Sequence, residues 1–296
     1  MKRLARSFGL IASVAGLAFV ARLLAMRWTE TEAALRGADG WRLLLAAVCA
    51  ALGMIYAASG WGIALRMFGA SITITRAVAL YFRGEVAKYV PGGAWAVVGR
   101  GELARREGIA PTVAYSSVLL SLAALYVSCA ALVAALLLLG LRATAAPVVA
   151  AVTFVLGIVA LHPRALELFR AIAQRLTRRE LTVRIPSWAA SSRMVVFYLP
   201  VWLAVGTATW AIVRALGGTT DWPHVVLAAA TAWLAGFVAV PVPGGIGIRE
   251  AVFVAAMPSA SAGTAAAAAL IARALFMAVD ATGAAASWLP SRRRRG

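Results

Sequence analysis

Residues 112–139 read TVAYSSVLLSLAALYVSCAALVAALLLL, an apolar run without one charged side chain. A helix needs roughly 20 such residues to cross a bilayer, so this stretch alone can span a membrane. The same signature recurs on either side of it. Leu43–Leu65, Met194–Val213 and Gly263–Leu289 are comparable, Thr144–Leu161 is weaker, and Phe8–Ala25 follows the basic opening MKRLARS. Arg22 and Arg27 suit an anchor better than a cleaved signal peptide, so Phe8–Ala25 is read as the first transmembrane helix. The chain of 296 residues is 62% hydrophobic and 14% charged, with mean hydropathy +0.86, and no soluble core of this size hides so much apolar surface. The expectation is an all-α integral membrane protein, a single transmembrane domain over residues 1–296 with about six transmembrane helices.

The net charge of +18 does not indicate nucleic acid, because the basic groups border apolar spans instead of covering a soluble face. Cytoplasmic loops collect Lys and Arg, and with the N-terminus inside, the inner segments hold Lys2, Arg3, Arg6, the cations from Arg66 to Arg106, those from Arg164 to Arg193, and Arg292 to Arg295. The outer side keeps Arg27, Arg36, Arg42, Arg142, Arg214 and Arg249. Both termini are therefore expected in the cytoplasm, with the chain multi-pass in a bacterial inner membrane. Residues 162–192 form a cytoplasmic segment with Leu166, Phe169, Ile172 and Leu176 on one helical face and Arg170, Arg175, Arg178 and Arg179 mostly opposite, a pattern that lies on a membrane surface. Cys49 and Cys129 fall inside spans and read as small core residues rather than a disulfide. His162 and His224 stand apart from other ligand types, so no metal and no cofactor is expected.

Two apolar segments are interrupted. Ala77–Val98 breaks at YVPGGAW, and His224–Ala256 breaks at VPVPGGIGIRE. Proline ends a helix, and glycine lets backbone amides face a ligand, so a half-helix restarting after Pro-Gly-Gly points unpaired N–H groups and a positive dipole end at an anion. Irregular backbone at membrane depth is tolerated where protein buries it or water lines it. Pro91, Gly92 and Gly93 are followed by Arg100 and Glu102, and Pro243, Gly244 and Gly245 by Arg249 and Glu250. With the charge-derived topology, residues 42–140 and 194–290 enter the membrane from opposite sides, an inverted-topology repeat of the kind that secondary transporters use; the first broken segment, too short before its proline to span, reads as re-entrant, and the second, 224–256, is either re-entrant or crosses fully. A bare turn between two short helices is the plainer reading of either break alone.

Arg83, Glu85 and Lys88 flank the first break, with Glu85 and Lys88 at helical spacing for a local pair. Charges at this depth are paired or wet, so Arg83 and Lys88 either neutralise a lipid phosphate, with Glu85 orienting them, or snorkel to the inner interface. Arg249 and Glu250 face the same alternatives. Arg273 and Asp280, seven residues apart in the last span, are expected to pair inside the bundle.

The stretches GEVAKYVPGGAWAVVGR (84–100), RREGIAPTVAYSSVLL (105–120) and VPVPGGIGIREAVF (240–253) resemble the transmembrane flippase domain of lysylphosphatidylglycerol synthases and its stand-alone relatives. The resemblance implies a helical bundle with re-entrant elements that handles lipids, and a substrate site at Glu85, Lys88, Pro91, Gly92, Gly93 and Arg100 with Pro243, Gly244, Gly245, Arg249 and Glu250. Those two-part synthases carry a soluble aminoacyltransferase domain after the membrane part, whereas SRRRRG closes this sequence, so no aminoacyl transfer is expected here.

The expected function is a lipid translocase that moves an anionic or isoprenoid-phosphate-linked lipid between leaflets. The alternative is a non-transporting partner of a lipid-modifying synthase or glycosyltransferase, docking through small-residue faces such as Gly263–Ala274. An enzyme is not expected, because no metal motif or nucleophile elbow is present.

Overall fold

The computed structural model describes residues 22, 25–26, 28–89, 95–142, 146–177, 185–239, 245–257 and 262–288, and every regular element among them is helical. The expected first span therefore lies outside the described residues but for Arg22 and Ala25.

After α1 (Trp28–Arg36), the 28-residue α2 (Gly40–Met67) starts where the Asp39 carboxylate accepts the Trp41 amide, and stops at Gly69, whose φ of +92° most residues resist. α3 (Ile74–Glu85), capped by Thr73, runs into a 3-10 turn, Val86–Tyr89. The chain resumes as α4 (Trp95–Arg106) and then α5 (Pro111–Leu138), whose proline occupies a first-turn position where a missing N–H costs nothing. α6 (Ala146–Leu161) and α7 (Pro163–Thr177) lead to α8 (Trp188–Ala215), capped by Ser187. α9 (Trp222–Val238), α10 (Ile248–Ala256) and α11 (Ala262–Trp288) complete the described chain.

Four of these helices, α2, α5, α8 and α11, are long and apolar enough to cross a membrane. A fifth crossing exists if Ala150–Leu161 and Pro163–Ile172, bent by 69°, count as one broken span. Apolar belts on the outside of the bundle fit this reading: Leu44, Val48, Leu52 and Ile55 of α2 and Val148, Val152, Val155 and Val159 of α6 are exposed. The chain is a multi-pass membrane protein.

The interior is closed by small residues and aromatic hydrogen bonds. α2 and α8 make the most extensive helix contact, with Gly60 lying against the Tyr198 ring and Gly53 against Ala204. From α5, Ser117 accepts Trp61 Nε1 at 3.1 Å, Ser121 bonds the Tyr198 hydroxyl at 2.7 Å and Ser128 accepts Trp202 Nε1 at 2.9 Å. These bonds satisfy two buried indole N–H donors and the buried Tyr198 hydroxyl. Cys129 is buried, Cys49 half-buried, and both are free thiols.

Two expectations change. Gly263 and Ala265–Ala269 are buried within this chain's own bundle, so most of the small-residue face expected to dock a partner is already covered. His224 does not stand apart: its Nδ1 lies 2.6 Å from Asp221 Oδ1 at the start of α9. α7 keeps Leu168 and Ile172 exposed alongside Arg164, Arg170 and Arg175, whereas the side chains of Phe169 and Leu176 lie outside the described residues.

Candidate functional site

The broken segments converge on α11. Arg273 and Asp280 stand two turns apart on one face of it, about 10 Å along the axis at 1.5 Å per residue. Each holds a side chain from a different break. Lys88, in the 3-10 turn before the first break, places Nζ 2.6 Å from Asp280 Oδ2. Glu250, in the first turn of α10 after the second break, accepts Arg273 Nη1 at 2.6 Å on Oε1 and the Gly247 amide at 2.7 Å on Oε2. The polarity is reversed between the two: the first break gives a cation to α11, the second a carboxylate.

Around the first pair, Glu85 accepts Lys88 Nζ at 3.1 Å, and its Oε2 lies 3.7 Å from Arg100 Nε. Arg100 is 1% exposed and its guanidinium lies over the Tyr81 ring. The expected local Glu85–Lys88 pair is therefore part of a larger network. Arg83 leaves it, bonding Ser287 and stacking 4.5 Å from the Trp288 ring at the end of α11. Glu102 does not match Glu250, because it is partly exposed and bonds Arg105 and Arg106. Pro91, Gly92, Gly93, Pro243 and Gly244 lie outside the described residues, whereas Gly245 adopts φ +66°.

Among α8, α9, α10 and α11, and reached by Lys88, lies a small, half-open cavity of about 70 Å³. Lys88, Arg249, Arg273 and Glu250 line it together with Thr209, and Trp233, Phe253 and Phe276 supply apolar wall. Across the network, Lys88, Arg100, Arg249 and Arg273 face Glu85, Glu250 and Asp280, an excess of one positive charge among these described residues when all are ionised. A low-dielectric chamber with such an excess favours an anion.

Lys88, Arg249 and Glu250, singled out from the sequence, line the cavity, and Trp233, which was not singled out, lines it too; the expected pairing of Arg273 and Asp280 inside the bundle holds, with Glu250 and Lys88 as the partners. A pair of opposite charges one heptad apart inside an apolar span was the signal that α11 faces the site.

At the cytoplasm-facing rim expected from the charge pattern, Arg76 grips Glu107 through two bonds of 3.0 and 2.5 Å. That contact holds the Glu107 carboxyl below its ordinary range.

The fold and site define a class, a multi-pass helical membrane domain whose two interrupted segments meet at a buried ionic cavity. The family model for the lysylphosphatidylglycerol synthase TM region matches residues 7–281, and the chain belongs to that family. The family's name ties such domains to phospholipid handling. None of the curated proteins compared with the chain matches it.

Proposed function

We propose that the chain is a lipid translocase that moves an anionic or isoprenoid-phosphate-linked lipid between leaflets. The observation that carries this reading is the convergence of Lys88, Arg249 and Arg273, from three separate elements, on one cavity with Glu250 as its lining carboxylate and aromatic walls around it. The headgroup phosphate takes the cationic end, and the hydrocarbon tails stay in the bilayer. In this reading the breaks are re-entrant: α3 and α9, with 12 and 17 residues, reach about 18 and 26 Å, short of the roughly 30 Å hydrocarbon core. Residues 42–140 and 194–290 then act as inverted repeats that rock about the site, with both termini in the cytoplasm of a bacterial cell. No cofactor and no covalent step is involved.

The test is leaflet translocation of fluorescent anionic phospholipids and short isoprenyl phosphates in proteoliposomes. The native chain should accelerate it, and Lys88→Ala with Arg249→Ala should lower the rate at least about tenfold, since each charge-assisted contact is worth about 1.5–3 kcal/mol. If a folded native chain accelerates none of these lipids, the translocase reading fails. A non-transporting partner of a synthase or glycosyltransferase would then be the better description, and it would have to dock on a face other than Gly263–Ala269.

A further inference from the structure

Gly84 stands seven residues before Pro91, and Gly236 stands seven before Pro243. An aromatic residue lies three positions upstream of each glycine, Tyr81 in one case and Trp233 in the other. In register with these positions, Val86, Ala87 and Val90 recur as Val238, Ala239 and Val242. A spacing of three on a helix puts ring and glycine on one face.

Both faces hold an arginine supplied from beyond the break. Arg100 Cζ lies 4.9 Å from the Tyr81 ring centroid, and Arg249 Cζ lies 3.8 Å from that of Trp233. The glycines make the room. A Cβ on Gly84 would stand 2.6 Å from Arg100 Cγ and 2.9 Å from its Cα, and one on Gly236 would stand 2.5 Å from both Cγ and Nε of Arg249. Gly245 packs against Gly236 on the same flank of Arg249: a Cβ there would stand 2.8 Å from Gly236 Cα and 2.9 Å from Arg249 Nε.

The two slots differ in access. Arg100 is sealed in the interior with Glu85 beside it, whereas Arg249 lines the cavity. A guanidinium held over an indole ring carries its N–H donors on the edge of its own plane, the fork that grips a phosphate with two parallel bonds. An ammonium has no such plane.

We propose that Trp233, Gly236 and Gly245 form a slot that fixes the plane of Arg249 so that its donor edge binds the phosphate group of the cargo lipid. Tyr81 and Gly84 form the matching slot around Arg100, closed by Glu85 in this structure. The assignment of a lipid as cargo rests on the translocase reading; the slot as a phosphate site does not.

Binding to the full chain in nanodiscs separates the two. The probes are dihexanoyl phosphatidic acid, dihexanoylglycerol, which lacks the phosphate, and inorganic phosphate. The native chain should bind the first and not the second. Gly236→Ala and Arg249→Lys should each weaken that binding at least about tenfold, because one displaces the guanidinium and the other removes its fork; Gly236→Ala, whose Cβ would stand 2.5 Å from Arg249 Cγ and Nε, should also lower the melting temperature. Trp233→Phe should retain binding and Trp233→Leu should lose it, a rescue that depends on the ring face and not on bulk. Phosphate-independent binding overturns the proposal, as does native affinity in both Gly236→Ala and Arg249→Lys. If Gly236→Ala does not fold, Arg249→Lys decides. Inorganic phosphate binding as tightly as the lipid overturns the lipid assignment. Phosphate binding through the slot without any lipid movement sinks the translocase reading and leaves the slot standing.

Discussion

Glu250 is 3% exposed and gives one carboxylate oxygen to Arg273 and the other to the Gly247 amide, so both of its acceptors are committed inside the bundle. Removing one partner of a buried pair leaves the other charge uncompensated, which costs about 3–5 kcal/mol. Arg273→Ala should therefore destabilise the protein by that order in a detergent-solubilised melt. Arg273→Ala combined with Glu250→Gln should cost clearly less than the sum of the two single changes, and additive costs would show that the pair is not coupled. At the rim the stakes are smaller. Arg76 holds the Glu107 carboxyl below its ordinary value, so the contact stabilises above the unfolded carboxylate pKa and is lost as pH falls through the lower folded one. Both side chains are partly exposed, which limits the effect to under about 1 kcal/mol. Stability measured from pH 6 down to pH 3 should fall slightly less in Glu107→Gln than in the native chain, and an identical slope would refute the assignment. Local pairs such as Glu85 with Lys88 were legible from helical spacing. The bond from Lys88 to Asp280 was not, because no periodicity connects positions so far apart in sequence; His224 with Asp221 was readable at three residues and was passed over.

At the scale of helices, length and apolarity alone located α2, α5, α8 and α11, because a charge-free run of this length has few other places to be. α6 was harder: its 16 residues are apolar on all sides, but the turn into α7 after Leu161 divides what would otherwise be one crossing. What apolarity cannot give is the pairing of helices, since every face reads alike. That pairing is written in the small residues. A Cβ on Gly60 would stand 2.5 Å from the Tyr198 ring, which is itself held by Ser121. Gly60→Ala must push α2 off α8 or swing the ring out of its hydrogen bond, for a cost of about 1–3 kcal/mol. Gly60→Ala with Tyr198→Phe should still be destabilised, because the ring remains in the way. Tyr198→Leu should relieve part of the clash. Melting temperatures of the three variants check this, and a native-like Gly60→Ala would mean the seam has slack that its geometry does not show.

For the molecule as a whole, the two interrupted segments were visible as repeated Pro-Gly-Gly, but the part of α11 was not. That helix belongs to the second half, where it holds Glu250, and it also holds Lys88 of the first, so relative motion of the halves must strain or break the contact between Lys88 and Asp280. Exchanging the charges separates the structural from the functional part of this arrangement. Lys88→Ala removes a partner of the buried Asp280 carboxylate and should lower stability by up to about 3–5 kcal/mol. Lys88→Asp together with Asp280→Lys keeps an opposite-charge pair between the same two elements and should recover most of that loss. It also turns a carboxylate toward the cavity, where an anionic headgroup would meet repulsion instead of attraction. Lipid movement by the exchanged chain should accordingly stay at least about tenfold below native although its melting temperature recovers. If both recover together, Lys88 serves the fold and the phosphate must be held by Arg249 and Arg273; if neither recovers, the pair depends on its orientation within the surrounding network of Glu85 and Arg100.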